Sequence, residues 1–124
     1  MTTRKDALNW FELHVADFDR AKRFYETILQ TQLQEVKCES RMGIFPYENG
    51  KGVGGAITQM AGFSPGAGGT VIYLNVEGDL DGVIQRIPAA GGAVVKPKFS
   101  IGEHGFIALL KDTEGNIVGL HSLK

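Results

Sequence analysis

Glu12 and His14 stand two positions apart in Asn9–Val15, a stretch whose faces alternate. Trp10, Glu12 and His14 share one side of the predicted strand, and Phe11, Leu13 and Val15 share the other. Three readings are open for this carboxylate and imidazole taken with a second imidazole, His121. Together they are sensible ligands for zinc or iron. Without a metal, Glu12 or His14 could move a proton, provided the cavity tunes its pKa toward neutrality. In the third reading they line a polar wall, hydrogen-bonded and unreactive, because buried polar groups need partners whether or not they react.

Other reactive side chains offer less. His104, in Ser100–Gly105, falls in a predicted turn where it could touch a ligand or simply face solvent. Arg41, on a candidate strand, is the one plausible anchor for an anionic ligand if it faces inward. Met42 and Phe45 read as core. The single cysteine, Cys38, excludes an internal disulfide and a cysteine-rich zinc site, and Lys37 and Glu39 beside it offset each other. Gly50–Gly55 spells G-x-G-x-x-G, but the following Ala56–Met60 reads as a strand, so the segment is expected to be a hairpin loop rather than a phosphate cradle.

The elements that position these residues repeat. After the first strand, Asp17 is placed to cap a helix whose stripe is Ala21, Phe24, Tyr25, Ile28 and Leu29. Strand candidates follow at Leu33–Cys38, Arg41–Tyr47 and Gly55–Met60. A Gly/Pro/Ser-rich linker with few hydrophobic anchors spans Ala61–Gly69. The plan then recurs: a strand at Thr70–Val76, and a helix capped by Asp79 with Leu80, Val83, Ile84 and Ile87 inward. Pro88 should distort the last turn of that helix, and Gly91-Gly92 should end it. Strands at Ala93–Lys98, Phe106–Lys111 and Ile117–Ser122 complete the second half, the last two joined by the turn Asp112–Asn116. Two βαβββ modules, about 8–60 and about 70–122 around the linker 61–69, predict one α+β domain over 1–124 with mixed sheets and outer helices.

Composition narrows the function classes. A formal net charge of −1, with Lys96 and Lys98 flanking Pro97 but forming no patch, argues against a nucleic-acid surface. No apolar run approaches the roughly 18 residues of a membrane span, and Met1–Asp6 lacks the apolar core of a signal peptide, so a cytoplasmic protein is expected.

Trp10–Ala21, followed by Phe24-Tyr25, resembles the opening of a vicinal oxygen chelate domain, with its V-x-D-[FL]-x-R-[AS] helix start and F-Y pair. Asp112–Leu120 is similar to the closing D-P-[DE]-G-N hairpin of that superfamily of glyoxalases, bleomycin resistance proteins and extradiol dioxygenases. The resemblance runs from about Asn9 to Ser122. It implies a cupped, partly open mixed β-barrel with chemistry inside the cup, where metal-using members hold a divalent ion as a Lewis acid. Carried onto this chain, the family's ligand positions fall on Trp10, near Thr58, on Val71 and on Gly119, none of which offers a good donor. The same alignment turns Glu12 and His14, Tyr73 and Asn75, and Ile117 and His121 toward the cup.

The expectation is a glyoxalase- or bleomycin-resistance-like protein that binds a small organic molecule in a cupped cavity and is a candidate to transform it. Glu12, His14 and His121 are the candidate catalytic groups. Trp10, Arg41, Tyr73, Asn75 and His104 are the candidate ligand contacts. No cofactor and no standard metal site is expected. The alternatives are a metal-dependent lyase or dioxygenase with displaced ligands and a non-catalytic sequestering protein. As in family members, a homodimer is expected.

Overall fold

The computed structural model describes residues 6, 8, 10–37, 40–68 and 71–124, without the side chain of His104. Cys38 and Thr70 lie outside the described residues. The element order is β1 (Trp10–His14), α1 (Phe18–Leu29), β2 (Gln34–Lys37), β3 (Arg41–Ile44) and β4 (Gly54–Gln59) in the first module. The second runs β5 (Tyr73–Asn75), α2 (Leu80–Ala90), β6 (Ala93–Ser100), a short 3-10 turn at Gly102–His104, β7 (Phe106–Lys111) and β8 (Ile117–Ser122). Each module folds into a four-stranded mixed sheet, ordered β1-β4-β3-β2 and β5-β8-β7-β6. The α+β architecture of two βαβββ modules is thus present, and neither sheet closes. No described helix is long and apolar enough to cross a membrane.

Both modules bury one sheet face against their helices. Leu13 and Val15 of the first strand join Phe18, Phe24, Tyr25 and Ile28 of α1 in a cluster that continues through Leu80, Val83 and Ile87 of α2 to Leu110, Val118 and Leu120. Removing such side chains from water is the main favourable term in folding. The opposite, helix-free face of the first sheet carries Trp10, Glu12 and His14, with Gly54, Ala56 and Thr58 beside them in parallel register.

Where the elements differ from expectation, backbone pairing explains the difference. β5 spans three residues instead of Thr70–Val76, because its parallel ladder with β8 holds only Tyr73, Leu74 and Asn75 against Gly119, Leu120 and His121. β6 reaches Ser100 through two register shifts, the second of which, between Lys96 and Phe99, takes in Pro97, at an edge strand where proline is tolerated. α2 continues two residues past Pro88 and ends at Gly91, whose φ of 102° needs glycine. Asp79 sits at the N-cap of α2 but makes no capping bond; its carboxylate accepts from Arg86 Nη2 at 2.7 Å instead.

Second-module groups hold α1 at both ends and at its middle. Asp17 caps Arg20 N as expected. The buried Glu114, in the β7–β8 turn, also accepts from Ala16 N and Asp17 N at 3.0 and 2.9 Å and takes the Arg20 guanidinium in a fork. Burial alone would raise the Glu114 pKa, but Arg20, the Asp17 amide, the Thr113 hydroxyl and the Ala16 amide outweigh it and hold the carboxyl at about 2. Mid-helix, the Tyr25 hydroxyl donates to Asp112 at 2.6 Å. At the C-terminal end Arg86 Nε donates to Ile28 O at 2.8 Å.

Candidate functional site

Glu12 and His14 come together on a cavity of about 290 Å³, also lined by Ser64, Gly66, Asn116 and Ile117. The linker closes over it. The Phe63 ring stacks on His14 at 4.9 Å, and Gly66 N donates to Asn116 Oδ1 at 2.9 Å. Asn116 Nδ2 in turn donates to His14 O at 2.9 Å, so one amide ties β1, the linker and the last hairpin together. The linker is therefore better anchored than its composition suggests.

Two buried polar atoms on this face, His14 Nδ1 and Thr58 Oγ1, have no hydrogen-bond partner among the described residues. They belong to residues in register across β1 and β4. A buried polar atom left unpaired costs about 1–3 kcal/mol, so a ligand atom that satisfied one would recover part of that. Glu12 is held from the other side, accepting from Trp10 Nε1 at 3.1 Å.

The remaining candidates are dispersed. Half-buried His121 lies in register with Asn75 and Ile107, and the cavity of Glu12 and His14 is not lined by it. Tyr73 and Asn75 line another cavity, about 730 Å³, which opens between the modules among apolar side chains such as Phe11, Phe45 and Leu74. That larger cavity is not the one lined by Glu12 and His14. The Asn75 side-chain oxygen accepts from Glu77 N. Arg41 turns to the helix side, where its guanidinium pairs with Glu35 and Asp19 and lies 4.3 Å from the centre of the Phe18 ring. The His104 backbone belongs to the 3-10 turn, and its side chain lies outside the described residues.

The positions that would hold the superfamily's divalent ion do not fit it. Trp10 spends its indole N–H on Glu12, and the only side-chain donor atom of the set is the buried Thr58 hydroxyl. A side chain at Gly119 would collide with the Tyr73 ring, which covers the glycine. Among the described residues no three His, Cys, Asp or Glu side chains gather closely enough to hold an ion.

Phe63, Asn116 and Ser64 escaped sequence reasoning as site residues. Phe63 is the one large apolar side chain of a linker otherwise made of Gly, Ala, Ser and Pro, and Asn116 ends the closing turn motif. Those signals were present, but neither says which cavity the residue reaches.

Comparison with known proteins agrees with this fold. Residues 7–120 match the family described as the Glyoxalase/Bleomycin resistance protein/Dioxygenase superfamily. A curated relative named putative glyoxylase CFP32, from Mycobacterium bovis and Mycobacterium tuberculosis, is 29% identical over 122 residues, covering 94% of this chain. The chain spans 46% of that relative's length, about half. Among solved structures, a glyoxalase/bleomycin resistance protein from Albidiferax ferrireducens superposes with a TM-score of 0.70 at 18% identity, covering 94% of this chain and 99% of the other. A glyoxalase I mutant from Zea mays gives 0.69 at 18% identity, covering 93% of this chain and 46% of that one.

Proposed function

The chain belongs to the Glyoxalase/Bleomycin resistance protein/Dioxygenase superfamily, and from that premise we propose that it binds a small organic molecule in the cavity shared by Glu12 and His14, without the superfamily's usual ion. The observation that carries this reading is the unpartnered, buried Nδ1 of His14 at a cavity whose wall also supplies a carboxylate. Unsatisfied buried groups are rare in folded proteins, and each calls for an explanation such as a catalytic role or a bound water or ion. In this reading the cavity orients a polar group of the ligand, the imidazole takes or returns a proton, and Glu12, fixed by Trp10, favours positive charge on the ligand or the ring. Two copies of the chain are proposed to pair in solution.

A thermal-shift screen of a metabolite panel against metal-stripped protein tests it, since a ligand that binds only the folded state raises the unfolding midpoint. The expected result is a midpoint rise that survives chelation and is lost in His14→Ala. Glu12→Gln should keep ligand affinity while abolishing turnover if the site is catalytic, and should leave no turnover to lose if it only sequesters. Stoichiometric zinc, iron, nickel or manganese in untagged protein, required for the shift, would overturn the reading.

A further inference from the structure

On the same helix-free face, away from His14, Trp10 and Tyr47 form an exposed aromatic corner. Both residues are 38% exposed, and their ring planes lie 72° apart with centroids 6.1 Å apart. Tyr47 is seated firmly: its ring covers Gly54, where an added Cβ would come within 2.6 Å of Tyr47 Cζ. Gly55 likewise makes room for the ring of Phe11. The glycine-rich segment thus admits aromatic rings rather than a pyrophosphate.

Two adjoining depressions share Trp10, Tyr47 and Asn49. One, about 710 Å³, is completed by Asp6 and the Gly50–Gly52 loop; the other, about 440 Å³, by Gln32, Gln34 and Ile44. The side-chain amides of Gln32, Gln34 and Asn49 make no hydrogen bond among the described residues, so their donors and acceptors are available to a ligand. Among the described residues, the charged groups lining the pair of depressions are Asp6 and Lys51, one of each sign, with no arginine fork to hold a phosphate or carboxylate.

We propose that this corner binds a neutral, polyhydroxylated small molecule, a saccharide or similar polyol. The C–H face of a sugar ring packs on an exposed aromatic ring, burying apolar area, while its hydroxyls exchange hydrogen bonds with carboxamides that both donate and accept. Among the described lining residues a charged ligand would find no net opposite charge. A purely apolar one would make no use of the three exposed amides. The inference does not depend on the chemistry assigned to His14, although the indole N–H that fixes Glu12 belongs to the same Trp10.

Trp10 is the only tryptophan, so intrinsic emission reports this corner directly. The full chain is titrated with maltotriose and with methyl β-glucopyranoside, using glucose 6-phosphate and phenol as charged and aromatic comparators. The expected result is a saturable change in Trp10 emission with either neutral sugar, at a dissociation constant of about 1–10 mM. Tyr47→Ala and the double variant Gln34→Ala/Asn49→Ala should each weaken it about tenfold or more. The double variant changes only surface amides, so it stays informative if Tyr47→Ala fails to fold, which circular dichroism reveals. Absence of saturation with both sugars up to about 50 mM overturns the proposal. So does saturation by phenol alone, or an unchanged sugar response in the folded double variant. Any of these results leaves the cavity of Glu12 and His14 to its own thermal-shift test.

Discussion

Gly119, where the resemblance leads one to expect a metal ligand, is a seat for a ring. The atoms that an added Cβ would strike include Tyr73 Cγ, close to the tyrosine backbone, so the ring cannot clear the space by swinging its far end. Gly119→Ala should therefore force a rotamer change or a strand shift and cost about 1–3 kcal/mol of unfolding free energy, measured by urea denaturation. Adding Tyr73→Ala should restore part of that loss, giving a non-additive double-mutant cycle. Full additivity would mean that ring and glycine do not compete for the same space. Thr58 tells a complementary story. It lies near an expected ligand position, yet its hydroxyl is buried and has no partner among the described residues, so Thr58→Val, which removes an unpaired group at similar volume, should be neutral or stabilising by up to about 1–3 kcal/mol. A clear loss of stability in that variant would show that Thr58 is hydrogen-bonded in solution, to a water or a ligand.

Helix α1 depends on a carboxylate from the other module. The folded Glu114 pKa of about 2 lies below its ordinary 4.5, so its contribution is fully present above 4.5 and is lost as pH falls from there toward 2. That contribution amounts to roughly 3 kcal/mol at most. Glu114→Gln should lower stability at pH 7, and the gap to the parent should narrow as pH approaches 2.5. Urea midpoints at several pH values measure it, and a gap independent of pH would refute the assignment. The helix itself was legible: the stripe through Ala21, Phe24, Tyr25 and Ile28 marks its buried face, and Asp17 marks its start. Its dependence on Glu114 was not, because local pattern does not connect residues 97 positions apart. Likewise β7 and β8 were read to the residue, their alternation being fixed by a short turn between them, whereas the length of β5 is set by its partner. At the site, alternation along β1 placed Glu12 and His14 together. The separation of His121, Tyr73 and Asn75 from that pair is a matter of how two sheets sit, which strand periodicity does not encode.

At the scale of the whole chain, the duplicated sequence suggests two units, but the packing argues for one. Each half is about 60 residues, a size that buries only about 60% of the surface its unfolded chain exposes and is marginal alone. The apolar cluster crosses from Leu13 and Ile28 to Leu80, Ile87 and Leu120 without interruption. Tyr25 donates to Asp112, Arg86 reaches Ile28, and Asn116 holds the end of β1, so unfolding either half would leave buried polar groups of the other without partners. Such losses raise the free energy of any half-folded state. Denaturation should then be a single two-state transition. Trp10 lies in the first module, so its emission follows that half, while far-UV circular dichroism averages over both. The two urea midpoints should coincide, and a transition in emission that precedes the one in circular dichroism would show that the modules fold separately despite their shared core.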